Sequence, residues 1–515
     1  MVRFLKIPQK TTDTAMIAFK LTLRRFPVAR LSSALICAMA PTAAALLLSS
    51  CTSRGILTTL GPDAPAPEKP AATVWQAPPV QQTAQPLEAS GQSVAKTATV
   101  LDFKDPVLAE LIDRAVAVSG DIAQTSSRFA QARTALAASD SQALPSLTGI
   151  AEFTRTAFTF GGPVLYRSQV SAGAQASWEI DLFGGLARAR QAAQARLQAA
   201  ALRVSAVKVS VTAETANAYV MLRLCEQEAQ ALSGSVTSLK RSDAAVRAAA
   251  AVGVINQVDV TRIGIQMLDA QTAAEQKSAQ CGKLLKTLVA LTGFTESELR
   301  TRLQERHAIV PVPQAFAIDG IPARVLENRA DIAAAQYDVA AASADVGVAL
   351  AERYPTLSLT GNLLPSRVSI NSGPTLSVTT WAISPALRLP IFDAGRRRMA
   401  AQAAQIEYES AAVQLRERVR VAVSEVEQSL VDINALAQTV QQQGDALKLA
   451  QEQLRLMSLR RQQGFSSGLD EETSRRQVLS TQTQYAQQTA QYAMAWVGLY
   501  RAAGGDWNAN AKAER

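Results

Sequence analysis

The sequence predicts a mixed α and β membrane protein made of two fused copies of one large unit, and three observations predict it. The first is an internal repeat with a period of about 210 residues. Gly120-Asp121-Ile122-Ala123, leading to Leu144-Pro145-Ser146-Leu147, returns as Ala330-Asp331-Ile332-Ala333 leading to Tyr354-Pro355-Thr356-Leu357. A period this long marks duplication of a whole unit, not a solenoid of small ones. The second is a set of segments in each copy where apolar and polar residues alternate, the period of a strand with two unlike faces. The third is a very long Ala/Gln/Arg-rich helical pattern that follows each set after a Phe-Gly turn (Phe183-Gly184-Gly185; Phe392-Asp393-Ala394-Gly395). Each pattern breaks at a glycine with an aspartate six residues on: Gly253 with Asp259, and Gly464 with Asp470.

Residues 1–50 read as a lipoprotein signal peptide. Arg3, Lys6, Lys10, Lys20, Arg24, Arg25 and Arg30 precede an apolar stretch from Leu31 to Leu48, with Met16 open as an alternative start. The stretch ends in Leu48-Ser49-Ser50-Cys51, the arrangement of a bacterial lipobox, so Cys51 is the expected lipidation site; an ordinary core cysteine is the alternative. Two or three acyl chains hold a protein stably on a membrane where one does not. Thr52, not aspartate, follows the cysteine, which fits sorting to the outer membrane. Seven basic residues and Asp13 give the leader +6 of the formal +9, leaving the mature chain near +3. Its pI is therefore no argument for a nucleic-acid partner. No apolar run of spanning length follows Cys51.

Residues 51–104, rich in Pro, Ala, Gln and Thr, read as a lipidated tether. The first repeat occupies 105–292. Asp105-Pro106 starts a helix that runs to about Ser139, and residues 146–183 then switch to period two. Val170, Ala172, Ala174, Ala176, Trp178, Ile180 and Leu182 share one face, while Ser171, Gly173, Gln175, Ser177, Glu179 and Asp181 share the other. An alternation this long fits a barrel strand with lipid outside and water inside. Globular strands run only about 5–6 residues. The second repeat, 321–503, has a helix at 322–352, then Leu357, Leu359 and Leu363 alternating with Ser358, Thr360 and Asn362. Trp381, Ile383, Leu387, Leu389 and Ile391 alternate in turn with Ala382, Ser384, Ala386 and Arg388. Aromatic residues gather near the strand ends, as at membrane interfaces. Four strands do not close a barrel and an open edge is not tolerated in lipid. Three copies would supply twelve.

The helical pattern from Leu186 to about Ala251 spans near 100 Å at ~1.5 Å per residue. Its return, from about Val258 to Leu291, covers half of that, and the helix at 107–139 supplies the rest if stacked on it. The second copy repeats this with a long helix at about 396–462 and a return at 470–502. Abundant alanine with Leu and Val at heptad-like spacing suits coiled-coil packing. Residues 293–320, an equatorial connector, and the tail 504–515 read as irregular. Cys225 and Cys281 lie 28 residues on either side of Gly253, hence side by side if Gly253 is a hairpin tip. In an oxidising compartment they form either a disulfide or two buried thiols. Leu436 and Tyr492 hold the corresponding places in the second copy.

Nothing points to an enzyme. His307 is the only histidine, and no nucleophile motif or phosphate-cradling loop accompanies it. No cofactor and no metal site is expected.

The chain resembles the TolC-type outer-membrane efflux factors, in their OprM/NodT-like lipoprotein branch. The resemblance rests on Leu48 to Cys51, on Asp105-Pro106-Val107-Leu108, and on both Pro-x-Leu strand starts. It rests also on Ile321-Pro322-Ala323 leading to Asn328-Arg329-Ala330-Asp331-Ile332, and on the two glycine-to-aspartate hairpins. It implies a trimeric channel-tunnel, a twelve-stranded barrel continued by an α-helical barrel through the periplasm. It also implies a periplasmic adaptor and an inner-membrane pump, of the RND type, as partners. Asp259 and Asp470 fall where the family narrows its periplasmic end with carboxylates; the alternative is that each only complements its helix N-terminus. Thr473 stands where some members have a second carboxylate, and Glu471 and Glu472 compensate only if they point inward. Arg461 falls where the family ties neighbouring hairpins shut, which implies a pair with an aspartate of the adjacent hairpin; a solvated helix-end arginine is the alternative. Gly253, Val254, Gly464 and Phe465 mark the tips expected to meet the adaptor. An exit duct for a type I protein-secretion system and a non-conducting coiled-coil lipoprotein are the rival readings.

Overall fold

A computed structural model describes residues 59–63, 103–159, 161–312, 326, 329–371 and 373–505. The signal peptide, Cys51, most of the tether, most of 313–328 and the tail after Gly505 lie outside the described residues.

Two helices open the body, α1 (Pro106–Val118) and α2 (Gly120–Gln142). Asp105 caps α1, its carboxylate accepting from the Val107 and Leu108 N–H groups, with Pro106 preset for the first turn. The same carboxylate accepts a 2.8 Å bond from the Tyr219 hydroxyl. The single helix expected over 107–139 is thus two. At Ser119 ψ swings to 122°, and its hydroxyl accepts from Ile122 N–H to start α2 afresh. A serine that caps more strongly than it propagates, followed by glycine, explains the break.

Four strands form one antiparallel sheet in chain order: β1 (Ser146–Phe158), β2 (Leu165–Ile180), β3 (Thr356–Ile370) and β4 (Leu376–Arg388). The register puts Phe153 opposite Val170, Trp178 opposite Leu359 and Leu363 opposite Trp381, all on one face. Glu152 opposite Ser171 and Gln175 opposite Asn362 mark the other. β2 and β3 meet tightly where the ladder skips the pairs beside Pro365, which has no N–H to give. A side chain at Gly173 would sit 2.1 Å from the Leu363 carbonyl oxygen, so glycine is required there. Asn371, at φ +49°, exchanges two bonds with Tyr166: its N–H donates to the Tyr166 carbonyl, and its side-chain oxygen accepts from the Tyr166 N–H. Trp178, near the other end of β2, donates its indole N–H to the Ala143 carbonyl.

Two long helices, α3 (Gly185–Ala251) and α7 (Arg396–Gln462), each have 67 residues. Their returns, α4 (Gln257–Thr292) and α8 (Gly468–Ala503), each have 36. The duplication therefore holds to the residue. α2 and α6 (Ala330–Ala351) pack along the strand-proximal half of α3, where Arg190 meets Asp140 and Arg203 meets Asp338. α4 and α8 pack along its distal half, and α7 lies against both α6 and α8. Cys225 of α3 and Cys281 of α4 are joined, with Cα atoms 5.5 Å apart. Ala334, Ala335, Ala341 and Ala344 are buried on α6, small side chains that let long helices approach closely.

The core sits at the waist. Leu108, Leu111, Tyr219, Leu222 and Leu288 form its larger cluster, and Val426, Leu430, Ile433, Trp496 and Leu499 a second one beside α8. Tyr492 meets Trp496 edge to face. The connector is less irregular than expected, since α5 (Glu296–Leu303) lies within it, started by a Thr295/Glu298 capping box. Leu299 and Leu303 bury into the waist core, which rewards that short helix. Of the tether, Leu60 to Asp63 runs across the α3–α6 crossing. Arg188 donates to the Leu60 and Gly61 carbonyls, and Ser343 to that of Pro62. A side chain at Gly347 would meet the Leu60 carbonyl at 2.5 Å.

Candidate functional site: the paired hairpin tips

The two hairpin tips are built alike, from the backbone outward. Gly253 and Gly464 take φ of +74° and +79°, the left-handed region that glycine enters at no steric cost. Around each, the helix end is closed by paired bonds: Val254 N–H to the Ala249 carbonyl and Gly253 N–H to that of Ala250. Phe465 and Gly464 repeat this on Arg460 and Arg461. The turn pushes Val252, Val254, Val258 and Phe465 into solvent, each at least 72% exposed. An apolar depression lined by Val258, Thr261 and Ile265 continues this surface along α4.

Asp259 and Asp470 occupy the third position of their return helices. Asn256 caps α4 by accepting from the Asp259 N–H at 3.0 Å, and the Asp259 carboxylate accepts from Arg262 at 2.8 Å. Ser467 and Asp470 form a reciprocal capping box, with 3.0 Å from Ser467 N–H to the carboxylate and 3.2 Å from Asp470 N–H to the hydroxyl. The bonds from the Ser467 N–H and hydroxyl hold the Asp470 carboxyl below the usual carboxylate range. Both aspartates therefore start helices within the single chain.

Arg461 finds a carboxylate within the single chain. Its guanidinium donates to Glu471 at 2.5 Å, inside its own hairpin. The reason is local: Arg461 ends α7 where the first turn of α8 begins, so Glu471 lies within reach. Ser458 and Arg475 donate to the same carboxylate at 3.1 and 3.2 Å. Glu471 is 7% exposed, and its bond from Arg461, with those of its other donors, keeps its pKa below the ordinary glutamate value.

Glu472, also buried, faces the first hairpin instead. Arg241 of α3 lies 3.5 Å from its carboxylate, and Ser238 donates to its backbone carbonyl at 3.1 Å. Arg476 donates to Ser238 and Ser242 of α3 and to Thr473, and burial lowers its pKa. So neither Glu471 nor Glu472 is free to point away from the helices. The first latches the second hairpin to itself and the second ties that hairpin to α3. Sequence reasoning missed Ser238, Arg241, Ser242 and Arg476, because the register between α3 and α8 is not written in either helix. The i,i+4 spacing of Glu471 and Arg475 and the i,i+3 spacing of Glu472 and Arg475 are the local signals.

Of the other expected site residues, Cys51 lies outside the described residues. Cys225 and Cys281 are bonded about halfway along the first hairpin, away from the tips. Among the described residues no group of His, Cys, Asp and Glu is arranged to hold a metal ion, and no helix is long and apolar enough to cross a membrane.

A family model described as outer membrane efflux protein matches residues 111–294 and 321–505, one match for each half of the duplication. Nodulation protein T of Rhizobium leguminosarum bv. trifolii is 27% identical over 417 residues, covering 80% of this chain and 88% of that protein. The antibiotic efflux pump outer membrane protein ArpC of Pseudomonas putida is 26% identical over 464 residues, covering 87% and 92%. Among solved structures, the Campylobacter jejuni CmeC outer membrane channel superposes with a TM-score of 0.74 at 21% identity, covering 87% of this chain and 95% of that one. The fold is that of the TolC-type channel-tunnels, and the location is the outer membrane. The chain belongs to the outer membrane efflux protein family.

Proposed function

We propose that three copies of this chain form the exit channel of a tripartite efflux system, passing substrate from a periplasmic adaptor and an RND-type inner-membrane pump to the exterior. The observation that carries this is one chain holding both an open four-stranded sheet and two 67-residue helices. Among the described residues β1 and β4 each pair on one side only, and lipid does not tolerate a free strand edge. Three chains close twelve strands, and helices of about 100 Å carry the conduit onward into the periplasm. Diacylation of Cys51 adds a lipid anchor. No nucleotide-binding loop is present in the sequence, so energy comes from the pump and conduction is passive. The likeness to ArpC, an antibiotic efflux pump protein, favours small-molecule export over protein secretion.

The gate belongs at the tips. Asp259 and Asp470, repeated in three chains, bring six carboxylates toward one narrow aperture, a field that favours cations. Gly253, Val254, Gly464 and Phe465 present the surface that meets the adaptor. The test is single-channel conductance of the purified lipoprotein in planar bilayers. Small cation-selective openings, with selectivity lost in Asp259→Ala and Asp470→Ala, support both pore and carboxylate ring. Openings unchanged by either substitution leave the pore and reduce the aspartates to helix-start charges. Silence of a folded trimer and of both variants sinks the channel reading.

The Arg461–Glu471 latch carries its own prediction. Because the folded-state pKa of Glu471 is depressed, its contribution is present above the ordinary glutamate range and lost as pH falls through the depressed value. Open probability is therefore expected to stay low at neutral pH and to rise severalfold in acid. Glu471→Gln should show that higher opening already at pH 7, with a flattened pH response. A Glu471→Gln channel as closed and as pH-sensitive as the wild type would remove the latch from the gate.

A further inference from the structure

We propose that Arg155 and Arg367 form a docking site on the outside of the barrel for the phosphate groups of a phosphorylated glycolipid in the outer leaflet. The register fixes their face. Arg155 stands opposite Ser168, which stands opposite Ser369; Arg367 stands opposite Val170, which stands opposite Phe153. Both arginines therefore share the face of Phe153, Val170, Trp178 and Trp381, the face turned to lipid. They are the only charged residues of the four strands on it. Both are exposed, and the Arg155 guanidinium lies over the Tyr166 ring, 5.4 Å from its centre.

Among the strands and turns around them no carboxylate shares their face. The four strands contain two acidic residues, Glu152 and Glu179, and both lie on the opposite face, across from Ser171 and Ser358. The turns at 159–164 and 371–375 contain none. Closing the barrel with further copies adds only the same strands, so the outer surface keeps two cations per chain and no anion.

Their depth suits a headgroup. Arg367 is level with Val170, eight residues along β2 from Trp178, which is ~26 Å of strand. Strands tilt by about 35–45° in a barrel, so this rises ~20 Å of an apolar band about 25 Å tall. Arg155, level with Ser168 two residues further on, rises ~25 Å, and the longer reach of the Arg367 side chain covers the difference. The arginines thus sit at the turn-side edge of that band, where a charge meets lipid phosphates instead of acyl chains. A planar guanidinium fork binds a phosphate through two parallel bonds. β1 and β3 are two strand spacings apart, ~10 Å, and the hydroxyls of Ser168 and Ser369 lie on the same face. With the two-residue offset of ~7 Å along the strands their Cα atoms are ~12 Å apart, and two forks at that separation fit a headgroup with two phosphates better than one with a single phosphate. The depth argument rests on the channel reading above, which fixes the strand turns as the outer end.

The experiment measures lipid retention on the full-length trimer in non-ionic detergent by native mass spectrometry. The probes are diphosphorylated lipid A, the same lipid with both phosphates removed, and inorganic phosphate as competitor. The wild type should retain the diphosphorylated lipid over its dephosphorylated form, and Arg155→Gln with Arg367→Gln should lower that preference by about tenfold, the scale of lost charge-assisted contacts. Arg155→Lys with Arg367→Lys, which keeps the charge without the fork, should fall between. Equal retention of both lipids by the wild type overturns the proposal, as does unchanged preference in the glutamine variant. Displacement of the lipid by millimolar inorganic phosphate would make this a free-anion site and overturns it too. If the double glutamine variant does not assemble, the lysine variant and each single glutamine substitution decide between the same outcomes. Conductance of the same preparations separates failure of this site from failure of the channel.

Discussion

Trp496→Ala is expected to cost the folded chain about 3–5 kcal/mol. Trp496 is fully buried in the C-terminal part of α8, at the waist, where it fills the space between Val426, Leu430 and Ile433 of α7 and Leu499 of its own helix. The adjoining face of α8 is equally committed. Ala490, Ala493, Val497 and Tyr500 pack into the cluster of Leu111, Tyr219 and Leu288. A helix already packed into two clusters along adjoining faces has little freedom to shift onto a lost ring, so most of the cavity penalty is retained. Thermal unfolding followed by circular dichroism in detergent should show a large downward shift for Trp496→Ala and a much smaller one for Trp496→Phe. An unchanged midpoint for the alanine variant would mean that the waist is held elsewhere.

Arg329→Ala should be nearly as damaging, at about 3 kcal/mol, the lower end for breaking a buried charged network. The lower end applies because Glu425 and Asp331 still reach water when the arginine is gone. Arg329 donates to Asp331 at 2.8 and 3.0 Å, to Glu425 at 2.6 Å and to the Ala502 carbonyl at 2.9 Å. One side chain thus ties the start of α6, the middle of α7 and the end of α8. Burial opposes its charge, but the bonds to Asp331 and Glu425 outweigh burial and raise its pKa. Burial likewise pushes Asp331 upward, yet the Arg329 bonds hold it below the usual aspartate range. That share of the stability is present above the ordinary aspartate pKa and is lost as pH falls through the depressed one. Arg329→Lys should recover only part, because one ammonium does not span three acceptors on three helices. Full stability in the lysine variant would show that charge alone matters there.

The hairpins were legible because their signals are local. A glycine that permits positive φ, a capping residue and an acidic third position all lie within about seven residues at each tip. The strands were legible because strict alternation over a dozen residues has few other uses. The break at Ser119 was hidden by an apolar pattern that continues across it into α2. Helix α5 was hidden because its value comes from Leu299 and Leu303 meeting a core assembled from α1, α3 and α4. Among the tip residues, Asp259 and Asp470 stood out by their spacing from glycine. The partner of Arg461 did not, since which carboxylate an arginine reaches depends on how α7 faces α8.

The sequence by itself determined the duplication, the four alternating strands and the two long hairpins with their turning points. Each of these follows from periodicity and backbone preference, which act over a few residues. Only the tertiary structure decided which helix lies against which. It also decided that Glu471 and Glu472 are consumed in holding α8 to α7 and α3, and that Arg155 and Arg367 share the face of Phe153 and Trp381. Those outcomes depend on register between segments up to 200 residues apart or more. Register is set by how whole faces pack, and no local run of residues encodes it.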